Sequence, residues 1–234
     1  AQCPDFSYSA DDLMTYFADK DIESLLLINP DNPTGNYIPY ADCLRLADWC
    51  QQRNILFVLD ESFIDFSVEH PTFFKDDILE QYSNLVVIKS ISKSYGVPSL
   101  RLGILATSNV DIMTVIRRSV SIWNINSFAE FFLQILGKYE ASYQQAMDEF
   151  RAERARFVDE LHKIGFLRVL PSEANYLLCE VKLPYTPREL AIRLLKDYDI
   201  LIKDCTSKCN APYIRIAVRD TVDNNRLIDA FSQL

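Results

Sequence analysis

Glycine is scarce in this chain of 234 residues. There are five, Gly35, Gly96, Gly103, Gly137 and Gly165, and none belongs to a cluster able to cradle a phosphate at a helix start. Histidine is scarcer: His70 and His162 have no motif around them and read as surface residues. The six cysteines (Cys3, Cys43, Cys50, Cys179, Cys205, Cys209) include no C-x-x-C pair. Cys205 and Cys209 lie four apart without a histidine companion, so no metal-ligand spacing is present, and scattered thiols suit a reducing cytosol. The longest apolar runs, such as "LLLI" and "ILFVL", fall far short of the roughly 20 residues a membrane helix needs. The opening residues are polar and acidic, unlike a secretory leader. Basic residues are in deficit, 24 against 33 acidic ones, and the net charge of −9 disfavours nucleic acid as a partner. A small anion held by a few local cations remains compatible with that balance. The expectation is a cytoplasmic protein that acts on a small molecule.

What is present is a hydrophobic share of 49%, ordinary for a chain with a real core, and a length sufficient for one large domain or two small ones. The first half alternates strand-like and helix-like segments. Apolar runs at 23–28, 55–59, 84–90 and 102–107 read as buried strands, and 39–53 as a helix opened by Pro39. Continuous apolar strands separated by helices predict an α/β architecture, with a mainly parallel sheet covered on both faces. Ligands of such sheets sit beyond the carboxyl ends of the strands. From about residue 109 the pattern changes to long helices over 109–118 and 126–163, with a break near 139–142. Shorter elements follow: strands near 166–169, 175–181, 199–203 and 213–218, and helices near 187–197 and 221–233, the last with Asn224, Arg226 and Asp229 on its polar side. The predicted organisation is a partial large domain over 1–118, interdomain helices over 119–163 and a small α+β domain over 164–234.

Three polar sites follow three consecutive buried strands: Asn32 in "NPDNPTG", Asp60 in "VLDESF" and Lys93 in "SISKSYG". Singly each has a bland reading, as a turn, a cap or a solvated amine. If the strands are parallel neighbours, the three side chains meet at one edge of the sheet, with Ser90, Ser92 and Arg101 near the amine. That set fits an aldehyde cofactor bearing a phosphate and a basic ring nitrogen. Lys93 would form the imine. Asp60 would keep the ring nitrogen protonated, making the ring an electron sink. Ser90, Ser92 and Arg101 would hold the phosphate, and the Asn32 amide would donate to the ring oxygen.

The three motifs "NPDNPTG", "VLDESFIDF" and "SISKSYGVPSLRLG" resemble those of fold-type-I pyridoxal-phosphate enzymes, the class I/II aminotransferase superfamily. Within it the chain is most similar to the histidinol-phosphate aminotransferase and threonine-phosphate decarboxylase branch. "SFIDF", "EANYLL", "ILIK" and "YIRIAVRD" lean toward the decarboxylases. The resemblance implies pyridoxal 5'-phosphate on Lys93 and a homodimer. It implies Arg215 as the grip on a substrate carboxylate, and Lys203 and Asn175 as further substrate contacts. The reaction would be transamination or α-decarboxylation of an amino acid or a phosphorylated amino acid.

The chain departs from this pattern in three places. Phe63 stands where relatives usually carry Tyr, which removes one hydrogen bond to the ring oxygen, worth roughly 0.5–1.5 kcal/mol. Lys203 stands where the branch commonly has Arg, and lysine lacks the bidentate fork. The glycine-rich turn and the strands that precede "NPDNPTG" in the family are not found, so the sequence reads as an N-terminally truncated fragment. The alternative to an active enzyme is an inactive fragment or a non-catalytic domain of a larger, possibly fused, protein. Tyr95, Trp123 and Asn124 are secondary candidates near the implied pocket.

Overall fold

The structure, a computed structural model, describes residues 4–234; Cys3 lies outside them. Helix α1 (Ala10–Phe17) is opened by a capping box, in which the Ser9 hydroxyl accepts from the Asp12 N–H and the Asp12 carboxylate accepts from the Ser9 N–H. Strand β1 (Ser24–Ile28), helix α2 (Tyr40–Gln52), strand β2 (Leu56–Asp60), helix α3 (Asp76–Gln81) and strand β3 (Leu85–Ser90) follow. Strand β4 (Gly103–Ala106) closes the first sheet, whose order is β1-β2-β3-β4. The first three strands are parallel and β4 runs antiparallel to β3.

One face of this sheet is fully packed. Leu25, Leu27, Phe57, Leu59, Leu85 and Val87 point at Cys43, Leu46, Ala47 and Cys50 of α2. Each fully buried aliphatic side chain there contributes about 1.5–3 kcal/mol of transfer free energy. The predicted cover on both faces is incomplete. Leu26, on the other face of β1, is 59% exposed, because among the described residues no apolar partner reaches it.

Helices α4 (Val110–Ser119), α5 (Ser127–Leu136) and α6 (Glu140–Leu161) lead out of this sheet. The predicted break in the long helix lies at a 3-10 turn over Gly137–Tyr139, a little earlier than placed from sequence. The second sheet contains β5 (Leu167–Val169), β6 (Tyr176–Val181), β7 (Lys203–Asp204) and β8 (Tyr213–Ala217). Its order is β5-β6-β8-β7, antiparallel throughout. Its helices are α7 (Pro187–Tyr198), α8 (Thr206–Cys209) and α9 (Thr221–Ser232). Alternation along β8 decides its faces. Ile214 and Ile216 enter a core with Phe157, Leu161, Leu190, Leu194 and Phe231, while Arg215 points the other way, toward the first sheet.

Two further expectations are corrected. The strand expected over 199–203 shrinks to Lys203–Asp204, because Asp199 adopts a left-handed conformation (φ 55°) that ends α7 and turns the chain. Asn224 does not lie on a solvated face: it is 2% exposed and its amide donates to the Glu153 carboxylate (2.8 Å) and the Arg219 carbonyl (2.9 Å). A buried amide with both donors paired stands in for an apolar contact between α9 and α6.

Candidate active site

Parallel order places the segments after β1, β2 and β3 side by side, as the sequence required. The loop after β1 is closed by Asn29, whose side chain accepts from the Ile38 N–H (2.8 Å) and donates to the Ile38 carbonyl (2.9 Å). Within it the Asp31 carboxylate accepts from the Thr34 hydroxyl (2.6 Å), and the Gly35 N–H reaches the Asp31 carbonyl (2.8 Å). This frame presents Asn32, whose side-chain oxygen accepts from an Arg215 guanidinium nitrogen at 2.7 Å. The bond joins the two sheets and orients the amide, so its nitrogen is left to donate elsewhere.

Asp60 ends β2, paired in register with Ile28, and one carboxylate oxygen accepts from the Ser62 N–H (2.8 Å). The Ser62 hydroxyl in turn accepts from the Ser90 N–H (2.9 Å), and the Ser90 and Ser92 hydroxyls share a hydrogen bond of 2.7 Å. Lys93 sits on the turn after β3 with its side chain exposed. Its ammonium nitrogen lies 4.8 Å from the Phe63 ring centre. Phe63 meets Tyr176 edge to face (5.2 Å), and the Arg215 guanidinium lies 5.0 Å from the Tyr176 ring centre. The two cations therefore bracket a short aromatic wall, each favoured by a ring face. Burial pushes the Tyr176 phenol well above its ordinary range, with Asp31 and Asp60 raising it further against Arg215, so it stays neutral and donates to the Asp31 carbonyl (2.7 Å).

Asn32, Asp60, Ser90, Ser92, Lys93 and Arg215 are thus gathered around one end of the first sheet. Lys203 pairs in register with Arg215 across the β7–β8 ladder, with its side chain in solvent. The Asn175 side-chain oxygen is buried and has no hydrogen-bond partner, so an acceptor is left open. Arg101 is not drawn into the cluster. It is exposed, in a left-handed conformation (φ 57°), and donates to the Pro98 carbonyl (3.2 Å). Trp123 is 90% exposed and Asn124 is exposed, so neither meets the cluster here. Sequence reading did not single out Ser62 or the wall function of Tyr176. Ser62 was legible as the serine of "DESF"; the wall depends on β6 meeting the first sheet and had no local signal.

A depression of about 360 Å³ is lined by Asp60, Ser62 and Ser90 with Lys89 and Gly103. A larger cavity of about 1010 Å³ borders Asn32 but contains neither Asp60 nor Lys93. The smaller space borders Asp60, Ser62 and Ser90, and neither space is lined by Lys93 or Arg215.

Residues 1–231 match the family described as aminotransferase class I and II. The chain is 36% identical over 215 residues to a threonine-phosphate decarboxylase of Salmonella typhimurium, covering 90% of this chain and 57% of that protein. It is 31% identical over 234 residues to a CMP-5'-(3-aminopropyl)phosphonate synthase of Streptomyces rubellomurinus, covering 99% of this chain and 37% of that one. Among solved structures, a decarboxylase from Sulfurospirillum multivorans superposes with a TM-score of 0.89 at 27% identity, covering 98% of this chain and 60% of the other. The chain spans 60% or less of the length of these relatives. With the motifs in order, the site gathered at the strand ends and a match over almost every residue, the chain belongs to the aminotransferase class I and II family.

Proposed function

We propose that this chain carries the lysine-bearing part of a pyridoxal-phosphate enzyme acting on an amino acid or a phosphorylated amino acid, by transamination or α-decarboxylation. The observation that carries the reading is Lys93 and Arg215 bracketing the Phe63–Tyr176 wall, with Asp60 close enough to raise the Tyr176 phenol. The donor set fits the cofactor. The set holds an exposed primary amine, a carboxylate with an uncommitted oxygen, and two hydroxyls that share one hydrogen bond and keep capacity for a phosphate. When bound, the cofactor supplies an electron sink for a bond broken at the substrate α-carbon.

Each residue then has a task of its own. Lys93 holds the cofactor aldehyde and moves a proton through its amine. Asp60 pairs with the ring nitrogen and keeps it protonated. Asn32, its oxygen committed to Arg215, offers its amide N–H₂ to the ring oxygen. Ser90 and Ser92 would take the phosphate, together with Arg101. Arg215 uses its remaining N–H groups on the substrate carboxylate, and Lys203, beside it in register, takes an anionic substrate side chain. The open acceptor of Asn175 would take a hydrogen bond from the N–H of the substrate amine. Arg215 would fix the substrate carboxylate, and the orientation it imposes would choose between transamination and α-decarboxylation. In this proposal the large domain ends near residue 118 and the small domain starts near 164. The whole enzyme is a cytoplasmic homodimer.

The test is titration of this chain with pyridoxal phosphate, followed by borohydride reduction and peptide mapping. The expected outcome is an imine absorbance band with the label on Lys93. Label spread over surface lysines overturns the reading. In the whole enzyme, dependence on a 2-oxo acid against release of carbon dioxide separates the two reactions.

A further inference from the structure

Three buried polar atoms, one of them on the residue after Lys93, are not used by the mechanism above. The Ser94 hydroxyl, the Tyr143 hydroxyl and one carboxylate oxygen of Asp65 are each without a partner in hydrogen-bond geometry. They come from three separate elements. Ser94 follows Lys93 on the turn after β3, Asp65 lies in the 3-10 turn Ile64–Phe66 that follows Asp60, and Tyr143 is on α6, between the two sheets. Both the Ser94 hydroxyl and the Asp65 carboxylate come within range to act on the Tyr143 hydroxyl. Burial pushes that phenol far up, Ser94 opposes the rise as a donor and Asp65 adds to it as an acceptor. An ionised carboxylate only accepts, so a bond between the Tyr143 hydroxyl and Asp65 would have the phenol as donor.

Both ends of this row are anchored. The other Asp65 oxygen is paired with the Lys89 ammonium at 2.6 Å, and the Asp65 carbonyl accepts from Arg151 of α6 at 2.9 Å. The Tyr143 ring is stacked on Tyr95 with ring centres 4.1 Å apart and planes 7° from parallel. Leaving buried donors and acceptors unmade is costly, so the three atoms have a standing drive to close on each other.

We infer that Tyr143, through Ser94 and Asp65, is a positioning residue that sets the Lys93 turn against the Asp60 segment and links both to the interdomain helix. The lysine's own turn is held by few backbone bonds: Tyr95 N–H to Ile91 (3.2 Å), Gly96 N–H to Lys93 (3.2 Å) and Val97 N–H to Ser92 (3.0 Å). Such a turn opens easily unless side chains brace it. The inference rests on the cofactor reading only for the role of Lys93; the bracing itself concerns the chain alone.

The test is amide hydrogen exchange on the cofactor-free chain, comparing the parent with Tyr143→Phe, which keeps the stacked ring, and Asp65→Asn, which keeps the volume. Tyr139→Phe, at an exposed hydroxyl one turn away, is the control. Exchange at Tyr95, Gly96 and Val97 is expected to quicken about fivefold in both test variants, with β6 and β8 unchanged and the control silent. A second readout is the apparent affinity for pyridoxal phosphate from the absorbance titration, expected to weaken about fivefold in Tyr143→Phe. Unchanged exchange over 91–97 in both variants, or equal quickening in β6 and β8, overturns the inference. If the local exchange quickens as expected while the parent takes no label on Lys93, the bracing stands and the cofactor reading falls.

Discussion

Glu153 shows how much one side chain can tie together. Its carboxylate accepts from two nitrogens of Arg156 (2.9 and 2.7 Å), from the Asn224 amide (2.8 Å) and from the Thr221 hydroxyl (2.9 Å). Arg156 leads the effect, which Asn224 and Thr221 reinforce against desolvation, and the carboxyl is lowered to about 2. In the unfolded chain the same group titrates near ~4.3. A carboxylate depressed in the folded state contributes stability above the unfolded value and loses it as pH falls toward the folded one. Glu153→Gln should therefore cost roughly 1–3 kcal/mol at pH 7. The difference from the parent should shrink between about pH 5 and pH 2. Urea denaturation at a series of pH values reads both, and a difference independent of pH would contradict the account. Glu61 behaves oppositely: buried and accepting from Thr72 and Phe73, its carboxyl is pushed up by desolvation.

Among the elements, the loop after β1 carries the heaviest constraint. Gly35 has φ +77°, and a Cβ there would meet the Ser172 hydroxyl oxygen at 2.0 Å and the Ser172 Cα at 2.9 Å. Its carbonyl accepts from the Glu173 N–H (3.0 Å), so the Asn32 loop and the segment leading into β6 touch backbone to backbone. Arg154 fastens the same junction from α6, donating to the Phe66 and Ala174 carbonyls (2.9 and 3.0 Å) and to the Glu173 carboxylate (2.8 Å). A left-handed conformation alone costs a non-glycine residue about 1–2 kcal/mol, and the backbone clash adds to it. Gly35→Ala should destabilise the chain by more than about 2 kcal/mol and loosen the Asn32–Arg215 bond. An unaltered denaturation midpoint would show that the loop and Ser172 are not held in contact.

For the whole molecule, exposure of apolar surface is the dominant fact. Ile122, Trp123, Phe128 and Phe131 stand in solvent around α5, Leu26 is open on β1, and β1 and β4 are the outer strands of the first sheet. Large apolar patches and unpaired strand edges promote association. The chain, 27.0 kDa, should sediment as a concentration-dependent mixture of monomer and larger species near ~10 μM. Replacing Trp123 and Phe128 together by Lys should shift it toward monomer. A single monomeric boundary at all concentrations would mean that this surface is inert. No helix of the described residues is long and apolar enough to cross a membrane.

Local chemistry made much of this legible from sequence. The strands β1, β2 and β3 were readable because each is an apolar run ended by turn residues, and Asn32, Asp60 and Lys93 because each immediately follows one. The capping box at Ser9 and Asp12 was equally local, yet α1 was not predicted, since no long apolar run draws attention to it. What the sequence by itself determined is the family, the order of the strands' contents and the residue types delivered to their ends. Only the tertiary structure decided what depends on separate segments meeting. That includes the bond of Asn32 to Arg215 across 183 positions, the Phe63–Tyr176 wall, the burial of Asn224, and the unpaired buried oxygens of Ser94, Asp65 and Tyr143. Periodicity records which face of an element is apolar. It does not record which polar atom of another element that face will meet, because that distance is set by packing between sheets and helices far apart in the chain.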